Sequence, residues 1–171
     1  MKQQYRLYEN QRVTNNAVYF FGGKSPFSNF FEGNQPVSFR GIEFPTSEHA
    51  FMYAKAIFFE DKYHANKIIG AVSPKQAKYF GRQVRNFDEQ EWNKHRLNFM
   101  IEVLAAKFKE PLMKSLLLQT EDKQFVEGSP YDKIWGVGIA YWNDDVLDAN
   151  KWKGQNLLGK ALDTVKEHLK D

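Results

Sequence analysis

The sequence predicts an α+β domain that is predominantly helical and carries a small antiparallel sheet. Three observations support this fold class: long stretches of helical apolar spacing, three short β-type segments in the first part of the chain, and a length of 171 residues, which is close to the usual size of one domain. The chain is 42% hydrophobic and contains 15 phenylalanines, more apolar surface than a disordered tail can use. We therefore expect a single domain over residues 1–171, with its core in residues 18–169.

The strands are expected in the early part of the chain. Residues 17–21 are rich in β-branched and aromatic side chains and stop at a Gly-Gly pair, as a strand does. Residues 37–40 and 42–44 meet at Arg40-Gly41 and are typical of a short hairpin. The loop over residues 24–34 contains three phenylalanines, and we expect these rings to pack because solvent-exposed loops rarely carry so many.

Helices are expected over most of the remaining chain. Residues 46–59 start with Thr and Ser, which are favoured N-caps, and contain neither Gly nor Pro. Residues 73–80 begin with Ser-Pro, a cap followed by the residue favoured at the first helical position. Residues 88–108 have apolar side chains spaced along one helical face. Two more helices are predicted over residues 111–118 and 156–169.

Composition excludes several kinds of chemistry. The chain has no cysteine, which rules out disulfides, thiolate nucleophiles and cysteine-based metal sites. The four histidines, His49, His64, His95 and His168, lack the spacing of metal ligands, so we predict no catalytic metal and no cofactor. Residues 1–11 are polar and no run of about 18 apolar residues occurs, which indicates a cytoplasmic protein with no membrane partner.

Glu48 and Lys55 are unusual on the helix predicted over residues 46–59. They are seven residues apart, which at about 100° per residue returns both side chains to one face. Phe51 and Met52 lie along the same face. One interpretation is a first-turn carboxylate stabilised by the helix dipole and a lysine that extends to solvent. The other is a desolvated acid and amine facing one cavity, where burial shifts both pKa values towards the neutral forms.

An acid and a desolvated amine together suit the cleavage of a bond between ribose C1 and a base nitrogen. That reaction needs a proton or hydrogen bond on the leaving base and a carboxylate near the positive charge that develops at C1. Glu48 fits either role. A lysine with a lowered pKa can instead attack the ring-opened sugar aldehyde and form a Schiff base that water hydrolyses, and Lys55 fits that role.

A second group of candidates lies in the Gly- and Pro-rich loop over residues 127–139. Trp135 is suited to stacking on a base, Asp132 to binding ribose hydroxyls or a base edge, and Gly136 to close approach of a ligand. A structural turn around a core tryptophan is the alternative. Asn156 fits the N-cap of the last helix better than a helix terminus directed at phosphate.

The basic residues favour a phosphate-bearing ligand. Arg82 and Arg96 supply guanidinium groups, which bind phosphate through two hydrogen bonds, although solvated helix charges are the alternative. A net charge of +3 and a pI near 8.9 are a mild excess. They fall short of the dense basic stripes of dedicated nucleic-acid binders and argue against general nucleic-acid binding.

Several short motifs follow one another from about residue 18 to residue 169. They are Phe27-Ser28-Asn29-Phe30, Pro45-Thr46-Ser47-Glu48-His49-Ala50-Phe51, Lys55, Gly81-Arg82, Trp92, Ser129-Pro130-Tyr131-Asp132, Trp135-Gly136-Val137-Gly138 and Asn156-Leu157-Leu158-Gly159. Each motif alone is weak, but their order and spacing together are specific. Together they closely resemble the NADAR family, also called YbiA-like.

The resemblance implies a metal-independent N-glycosidase in an α-rich, YbiA-like fold. Two substrate classes are associated with the family: riboflavin-pathway intermediates that carry a ribosylamino phosphate, and ADP-ribose attached to guanine in nucleic acid, including DNA. By the same resemblance, Glu48 is the essential acidic residue and Lys55 the lysine that follows it on one helix. The substrate-binding residues that it implies are Phe21, Ser28, Asn29, Phe30, Arg82, Trp92, Ser129, Asp132, Trp135, Gly136 and Asn156.

A non-catalytic module that binds ADP-ribose or a related nucleotide is the alternative function. Such a module would keep every binding motif. The pair formed by Glu48 and Lys55 discriminates between the two functions, because a pure binding pocket has little use for two opposed ionisable groups on an apolar face. Both residues are present, which favours the enzyme.

Overall fold

The structure is a computed structural model that describes residues 10–170. Most of the polar segment 1–11, namely residues 1–9, lies outside the described residues. The strands are β1 (Gln11–Val13), β2 (Ala17–Phe20), β3 (Val37–Phe39), β4 (Ile42–Phe44) and β5 (Gln124–Glu127). The helices are α1 (Ser47–Phe58), α2 (Lys62–Ile69), α3 (Pro74–Gly81), α4 (Glu89–Lys107), α5 (Pro111–Leu118) and α6 (Leu157–Leu169), and short 3₁₀ turns cover Asp144–Leu147 and Ala149–Lys151. The predicted fold class, mostly helical with small sheets, is confirmed.

The helix starts follow the capping signals in the sequence. The side chains of Thr46, Ser73 and Asp88 each accept a hydrogen bond from the backbone N–H three residues further on, at 3.2, 3.0 and 3.1 Å. Pro74 occupies the first turn of α3, where a missing N–H leaves no helical hydrogen bond unmade. These local signals explain why the predicted bounds of α1, α3 and α4 agree with the structure to within one residue.

Helix α2 was not predicted. Its N-cap is Asp61, whose carboxylate accepts the N–H of His64 at 3.0 Å. The chain leaves α1 at Glu60, which has a positive φ of 59°. A left-handed residue that is not glycine is uncommon and leaves little local signal in the sequence. The start of α2 was missed for that reason, although the end of α1 was predicted to within one residue.

The strands form two separate sheets. β3 and β4 make the predicted antiparallel hairpin, and its turn residues Arg40 and Gly41 have positive φ angles of 51° and 80°, as a tight hairpin turn requires. The other sheet has the order β1-β2-β5, with β2 antiparallel to β1 and parallel to β5. The parallel pair, in which Val18 lies beside Phe125, was not predicted because it joins segments distant in the chain.

The described residues form two compact units. Unit 1 comprises residues 10–31 and 111–170, and unit 2 comprises residues 32–110. Each unit contains its own buried apolar side chains. The expectation of one domain over residues 1–171 stays a prediction.

In unit 1, aromatic rings pack beside the mixed sheet. Phe20, Phe27 and Phe125 are fully buried. The ring centre of Phe27 lies 4.7 Å from that of Phe125 and 6.1 Å from that of Phe20, distances typical of favourable aromatic pairs. The loop phenylalanine Phe27 therefore packs as expected, whereas the other two phenylalanines of that loop are partly exposed.

In unit 2, α1 packs against α2, α3, α4 and the β3–β4 hairpin. An aromatic cluster joins α1 to α4: the ring centre of Trp92 lies 5.5 Å from that of Phe51 and 5.7 Å from that of Phe99. Because other elements surround α1, a buried polar side chain on this helix needs hydrogen-bond partners within the unit.

Asn156 joins β5 to α6 in unit 1. It precedes α6 with a φ of 53°, but its side chain does not cap the helix, so the expected side-chain cap is not formed. Its side-chain oxygen instead accepts the N–H of Glu127, and its amide nitrogen donates to the carbonyl oxygen of Phe125, both at 3.0 Å. One buried side chain thus satisfies two backbone groups of the strand.

We expect Asn156→Ala to lower the free energy of unfolding by about 1–3 kcal/mol, because two backbone groups lose their partners. Urea unfolding followed by circular dichroism should show a lower midpoint at an unchanged m value. Asn150→Ala is the matched control, because Asn150 is exposed and only its backbone N–H forms a hydrogen bond in the described chain. Equal midpoints for the two variants would show that the junction does not depend on Asn156.

Candidate functional site

Glu48 and Lys55 lie two turns apart on α1, as their spacing predicts. Glu48 is in the first turn and only 7% exposed, and Lys55 is half-buried. The charge of the Glu48 carboxylate acts on Lys55 and tends to raise the pKa of that lysine. The two groups are therefore close enough to interact, and Lys55 does not simply extend into solvent.

Three further groups define the surroundings of the Lys55 amine. Its Nζ donates a hydrogen bond to the backbone oxygen of Gly81 at 2.9 Å and lies 4.5 Å from the centre of the Phe87 ring. Burial is the main cause of a lowered Lys55 pKa; the Glu48 carboxylate opposes it, and the charge of Arg82 adds to it. This amine therefore loses its proton at a lower pH than an ordinary lysine, which has a pKa of about 10.4.

Two of these contacts were not foreseen from the sequence. Gly81 was recognised only as part of a motif, and Phe87 was not singled out at all. Gly81 ends α3 and Phe87 lies between α3 and α4, and both helices pack against α1. No local pattern encodes that packing. The only available signal was the position of Phe87, a large apolar residue directly before the helix cap Asp88.

His49 fixes the first turn of α1. Its Nε2 lies 3.0 Å from the backbone oxygen of Ala71, which can only accept, so Nε2 carries the proton. The other nitrogen, Nδ1, then accepts a hydrogen bond from the Thr46 hydroxyl at 2.7 Å. Burial lowers the pKa of His49, which favours the neutral ring. His49 is a structural residue that keeps the neighbouring Glu48 in position.

Arg82 and Trp92, both predicted to bind substrate, also belong to unit 2. Arg82 directly follows α3, is exposed, and lies near enough to Lys55 to influence its pKa. Trp92 is 6% exposed, and its ring stacks on that of Phe99 at an interplanar angle of 20°. The structure places Arg82 beside the candidate catalytic pair, whereas a ligand contact by the core residue Trp92 stays a prediction.

The loop that follows β5 in unit 1 is shaped by its own side chains. Ser129 Oγ accepts the N–H groups of Tyr131 and Asp132 at 3.2 and 3.1 Å. Asp132 Oδ1 accepts those of Ile134 and Trp135 at 2.9 and 2.8 Å. Such bonds from side chain to nearby backbone are typical of tight turns. Ser129 and Asp132 thus define the conformation that presents Trp135, whose side chain is half-buried.

Gly136 is needed for the packing of this loop on itself. Its carbonyl oxygen accepts the N–H of Asn156 at 3.1 Å. A Cβ atom at this position would lie 2.8 Å from the backbone oxygen of Asp132 and 3.0 Å from that of Glu127, so no side chain fits. Gly136 and Asn156 thus both have structural roles, because each is hydrogen-bonded to neighbouring backbone. Their direct contacts with a ligand stay predictions.

Phe21, which directly follows β2, lies beside the loop that follows β5. The ring of Phe21 is half-buried, and its centre lies 6.4 Å from that of Tyr131, a residue that is 85% exposed. Two such rings offer an apolar surface on which a base can stack. Tyr131 was part of a motif but was not predicted to bind ligand.

Ser28 and Asn29, both predicted to bind substrate, are buried, and Ser28 Oγ accepts the N–H of Phe30 at 3.1 Å.

Among residues 10–170, no three His, Asp or Glu side chains lie close enough together to hold a metal ion. Over the same part of the chain, every helix is too short or too polar to traverse a lipid bilayer. Independence of metal stays a prediction, which a chelator can test.

Residues 16–170 match the family model described as the NADAR domain. The chain is 37% identical over 164 residues to N-glycosidase R617 of Acanthamoeba polyphaga mimivirus, a match that covers 90% of this chain and 96% of that protein. It is 33% identical over 101 residues to the riboflavin biosynthesis protein PYRR, chloroplastic, of Arabidopsis thaliana, which covers 56% of this chain and 15% of that protein.

The NMR structure of the E. coli protein YbiA is similar to this structure with a TM-score of 0.74 and 27% sequence identity, and the match covers 96% of this chain and 91% of that chain. The YbiA-like fold implied by the motifs is therefore confirmed. The family model and the mimivirus relative each cover nearly the whole chain, and both show that it belongs to the NADAR family.

Proposed function

We propose that this chain is an N-glycosidase that hydrolyses the bond between ribose C1 and a base nitrogen. One observation carries the proposal: on α1, a buried carboxylate, Glu48, interacts with the amine of Lys55, whose pKa burial lowers. Similarity to the mimivirus N-glycosidase R617 supports the same activity. A module that only binds nucleotides has no need of a partly buried amine with a lowered pKa.

Glu48 is assigned to the reacting carbon. In direct hydrolysis the C1–N bond breaks, the base leaves with the electron pair and takes up a proton, and positive charge develops at C1 until water adds there. A carboxylate stabilises that charge more strongly when little water screens it, and Glu48 is 7% exposed. His49, bonded on both ring nitrogens, keeps the turn that carries Glu48 rigid.

Lys55 offers a second route through a covalent intermediate. After the ribose ring opens, C1 is joined to the base nitrogen by a double bond, and the neutral amine of Lys55 adds to C1. The base leaves, a Schiff base between C1 and Nζ remains, and water then releases the sugar aldehyde and restores the amine. A lowered pKa increases the neutral fraction of Lys55 at a given pH, and the hydrogen bond to Gly81 fixes the position of Nζ.

Two substrate classes fit this chemistry: ADP-ribose attached to guanine in nucleic acid, and ribosylamino phosphates of the riboflavin pathway. Both contain a ribose C1 bonded to nitrogen with phosphate nearby, and Arg82 beside Lys55 suits that phosphate. The partial similarity to the plant riboflavin biosynthesis protein PYRR supports the second class. Ligand binding in unit 1 is assigned to Phe21, Asp132 and Trp135.

The direct test is incubation with an ADP-ribosylated guanine oligonucleotide and, separately, with ribosylamino-pyrimidinone phosphates, followed by mass spectrometry of the released base and sugar. Release of free base from either substrate is expected, and it should persist in excess EDTA. Binding without release would support the non-catalytic module instead. Loss of activity in EDTA that zinc, magnesium or manganese restores would show that the reaction needs a metal.

Glu48→Gln should lower kcat by roughly 10²–10⁴, the usual contribution of a positioned acid or base, with little change in substrate affinity because glutamine has the same shape. Steady-state kinetics on the substrate identified above measures both parameters. Glu43→Gln is the matched control, because Glu43 is an exposed glutamate on β4. Full activity of the Glu48→Gln protein would exclude the assignment of Glu48 to catalysis.

Lys55 should form a covalent adduct when borohydride is added during turnover, since the reagent reduces a Schiff base to a stable amine. Peptide mass spectrometry should locate the sugar on Lys55. The yield should rise with pH and reach half its maximum below the pKa of about 10.4 of an ordinary lysine, because burial lowers the Lys55 pKa.

Two variants control the trapping experiment. Lys55→Ala should give no adduct, and normal turnover by this protein would restrict Lys55 to binding. Arg82→Gln removes a charge that lowers the Lys55 pKa, so the half-maximal pH for trapping should move upwards. An unchanged midpoint would show that Arg82 does not influence the reacting amine.

Asp132→Ala should weaken binding or turnover more than tenfold, about 1.4 kcal/mol, because the loop loses both hydrogen bonds to the Ile134 and Trp135 N–H groups. Asp132→Asn keeps an acceptor oxygen and tests the cause. Recovery of function by Asn identifies a loop-shaping role, and continued loss identifies a contact with the negative charge. Wild-type kinetics in both Asp132→Ala and Trp135→Ala would remove this loop from the site.

A further inference from the structure

The basic residues of this chain are distributed unevenly. Residues 62–87 contain six of the 24 Lys and Arg residues and none of the 21 Asp and Glu residues. The rest of the chain therefore carries 18 basic and 21 acidic residues, a net charge of −3, although the whole chain stands at +3. The modest overall charge thus conceals one strongly basic segment.

Three basic side chains of this segment differ from several basic side chains elsewhere in their partners. Elsewhere, several lysines and arginines bind carboxylates at 2.6–2.9 Å, namely Arg12, Arg40, Lys94, Lys151 and Lys170. Within the segment, Lys67, Arg82 and Arg85 are exposed and form no ion pair with any described residue. Cations that bind no carboxylate remain available to phosphate.

The exposed rings of the segment lie beside these cations. The guanidinium carbon of Arg85 lies 4.7 Å from the ring centre of Tyr63, and Lys67 Nζ lies 5.6 Å from it, while Tyr63 is 52% exposed. The backbone N–H of Arg85 donates to the Asp61 carboxylate at 2.7 Å, which fixes its position. That carboxylate is 4% exposed and does not face the surface.

The same segment reaches the candidate catalytic lysine. Phe87 is 45% exposed and lies 4.5 Å from Lys55 Nζ, and the charge of Arg82 influences Lys55. Residues 82–87 therefore connect the surroundings of Lys55 with those of Tyr63. We call the surface formed by Tyr63, Lys67, Arg82, Arg85 and Phe87 the basic aromatic strip.

We infer that the basic aromatic strip binds a single-stranded nucleic acid. Alternating cations and exposed rings match what single strands require, since the cations contact phosphates and the rings stack on unpaired bases. Bases in a duplex are already stacked on one another and cannot use such rings. The expectation against general nucleic-acid binding relied on the modest whole-chain charge and the absence of dense basic stripes, whereas this inference relies on the local charge of residues 62–87.

This inference goes beyond the proposed glycosidase activity, because binding to the strip requires no turnover. If the glycosidase proposal also holds, a strand on the strip passes the surroundings of Lys55. Glu48→Gln should therefore keep wild-type affinity for the strand even where activity is lost. Failure of either proposal can then be recognised separately.

The test is fluorescence anisotropy of the full chain with a fluorescein-labelled single-stranded oligonucleotide of mixed sequence, at several salt concentrations, with the matching duplex as a second probe. The double variant Lys67→Gln/Arg85→Gln removes two charges from the strip. Lys109→Gln/Lys160→Gln is the charge-matched control, because both lysines are exposed and lie outside residues 62–87.

The strip variant should bind the single strand roughly tenfold more weakly. The slope of the logarithm of its binding constant against the logarithm of the salt concentration should be smaller in magnitude by about 1.4, as expected for two lost phosphate contacts. The control should differ from wild type by less than about twofold. Tyr63→Ala should weaken binding about fivefold or more through lost stacking, unlike Trp142→Ala, which removes an exposed ring of unit 1.

Three results would overturn the inference. The first is the absence of salt-dependent binding of the single strand by the wild-type protein. The second is an equal loss of affinity in the strip variant and its charge-matched control, which would indicate a diffuse effect of net charge. The third is tighter binding of the duplex than of the single strand, which would exclude the assignment to unpaired bases.

Discussion

The burial of polar side chains on α1 is the constraint on which unit 2 depends. A charged or polar group removed from water needs partners to offset the loss of hydration. His49, near the start of α1, bonds to Ala71 just before α3, and Lys55, near its end, bonds to Gly81 at the end of α3. α3 must therefore run alongside α1 in a single register. The contacts that position the candidate chemistry are the same ones that align the two helices.

In unit 1, several polar side chains also form hydrogen bonds with the backbone of their own unit. Ser129 and Asp132 are residue types that often bind ligands. In this loop, their side-chain oxygens accept backbone N–H groups of neighbouring residues and so define its conformation. Asn156 likewise uses both polar atoms on the backbone of β5. A motif residue can thus be required for activity without touching substrate, because a precisely folded loop is itself a condition for binding. Residue type alone does not separate these roles.

The sequence predicted those features that neighbouring residues encode. Thr46, Ser73 and Asp88 mark helix starts through bonds to residues three positions away, and Arg40-Gly41 marks a hairpin. The seven-residue spacing likewise placed Glu48 and Lys55 on one side of α1. What could not be predicted depends on packing between distant segments.

The pairing of β2 with β5 and the approach of Phe87 to Lys55 belong to that class. The start of α2 was not predicted for a different reason, since Glu60 adopts a backbone conformation more typical of glycine. The whole-chain charge conceals a local difference, because residues 62–87 are basic and the remainder is acidic. An average over the chain cannot report a difference between its parts.

The bond between Glu127 and the Asn156 side chain closes a long excursion of the chain, since the two residues are 29 positions apart yet only 3.0 Å separates the bonded atoms. Strand β5 ends where the excursion starts, and α6 begins where it ends. The excursion is itself packed, because Val137 and Val146 are fully buried in a cluster with Tyr19 and Val126 of the sheet. Substitutions at its exposed positions, such as Tyr131 and Trp142, therefore leave this packing intact, whereas truncation of Val137 or Val146 would open a cavity beside the sheet.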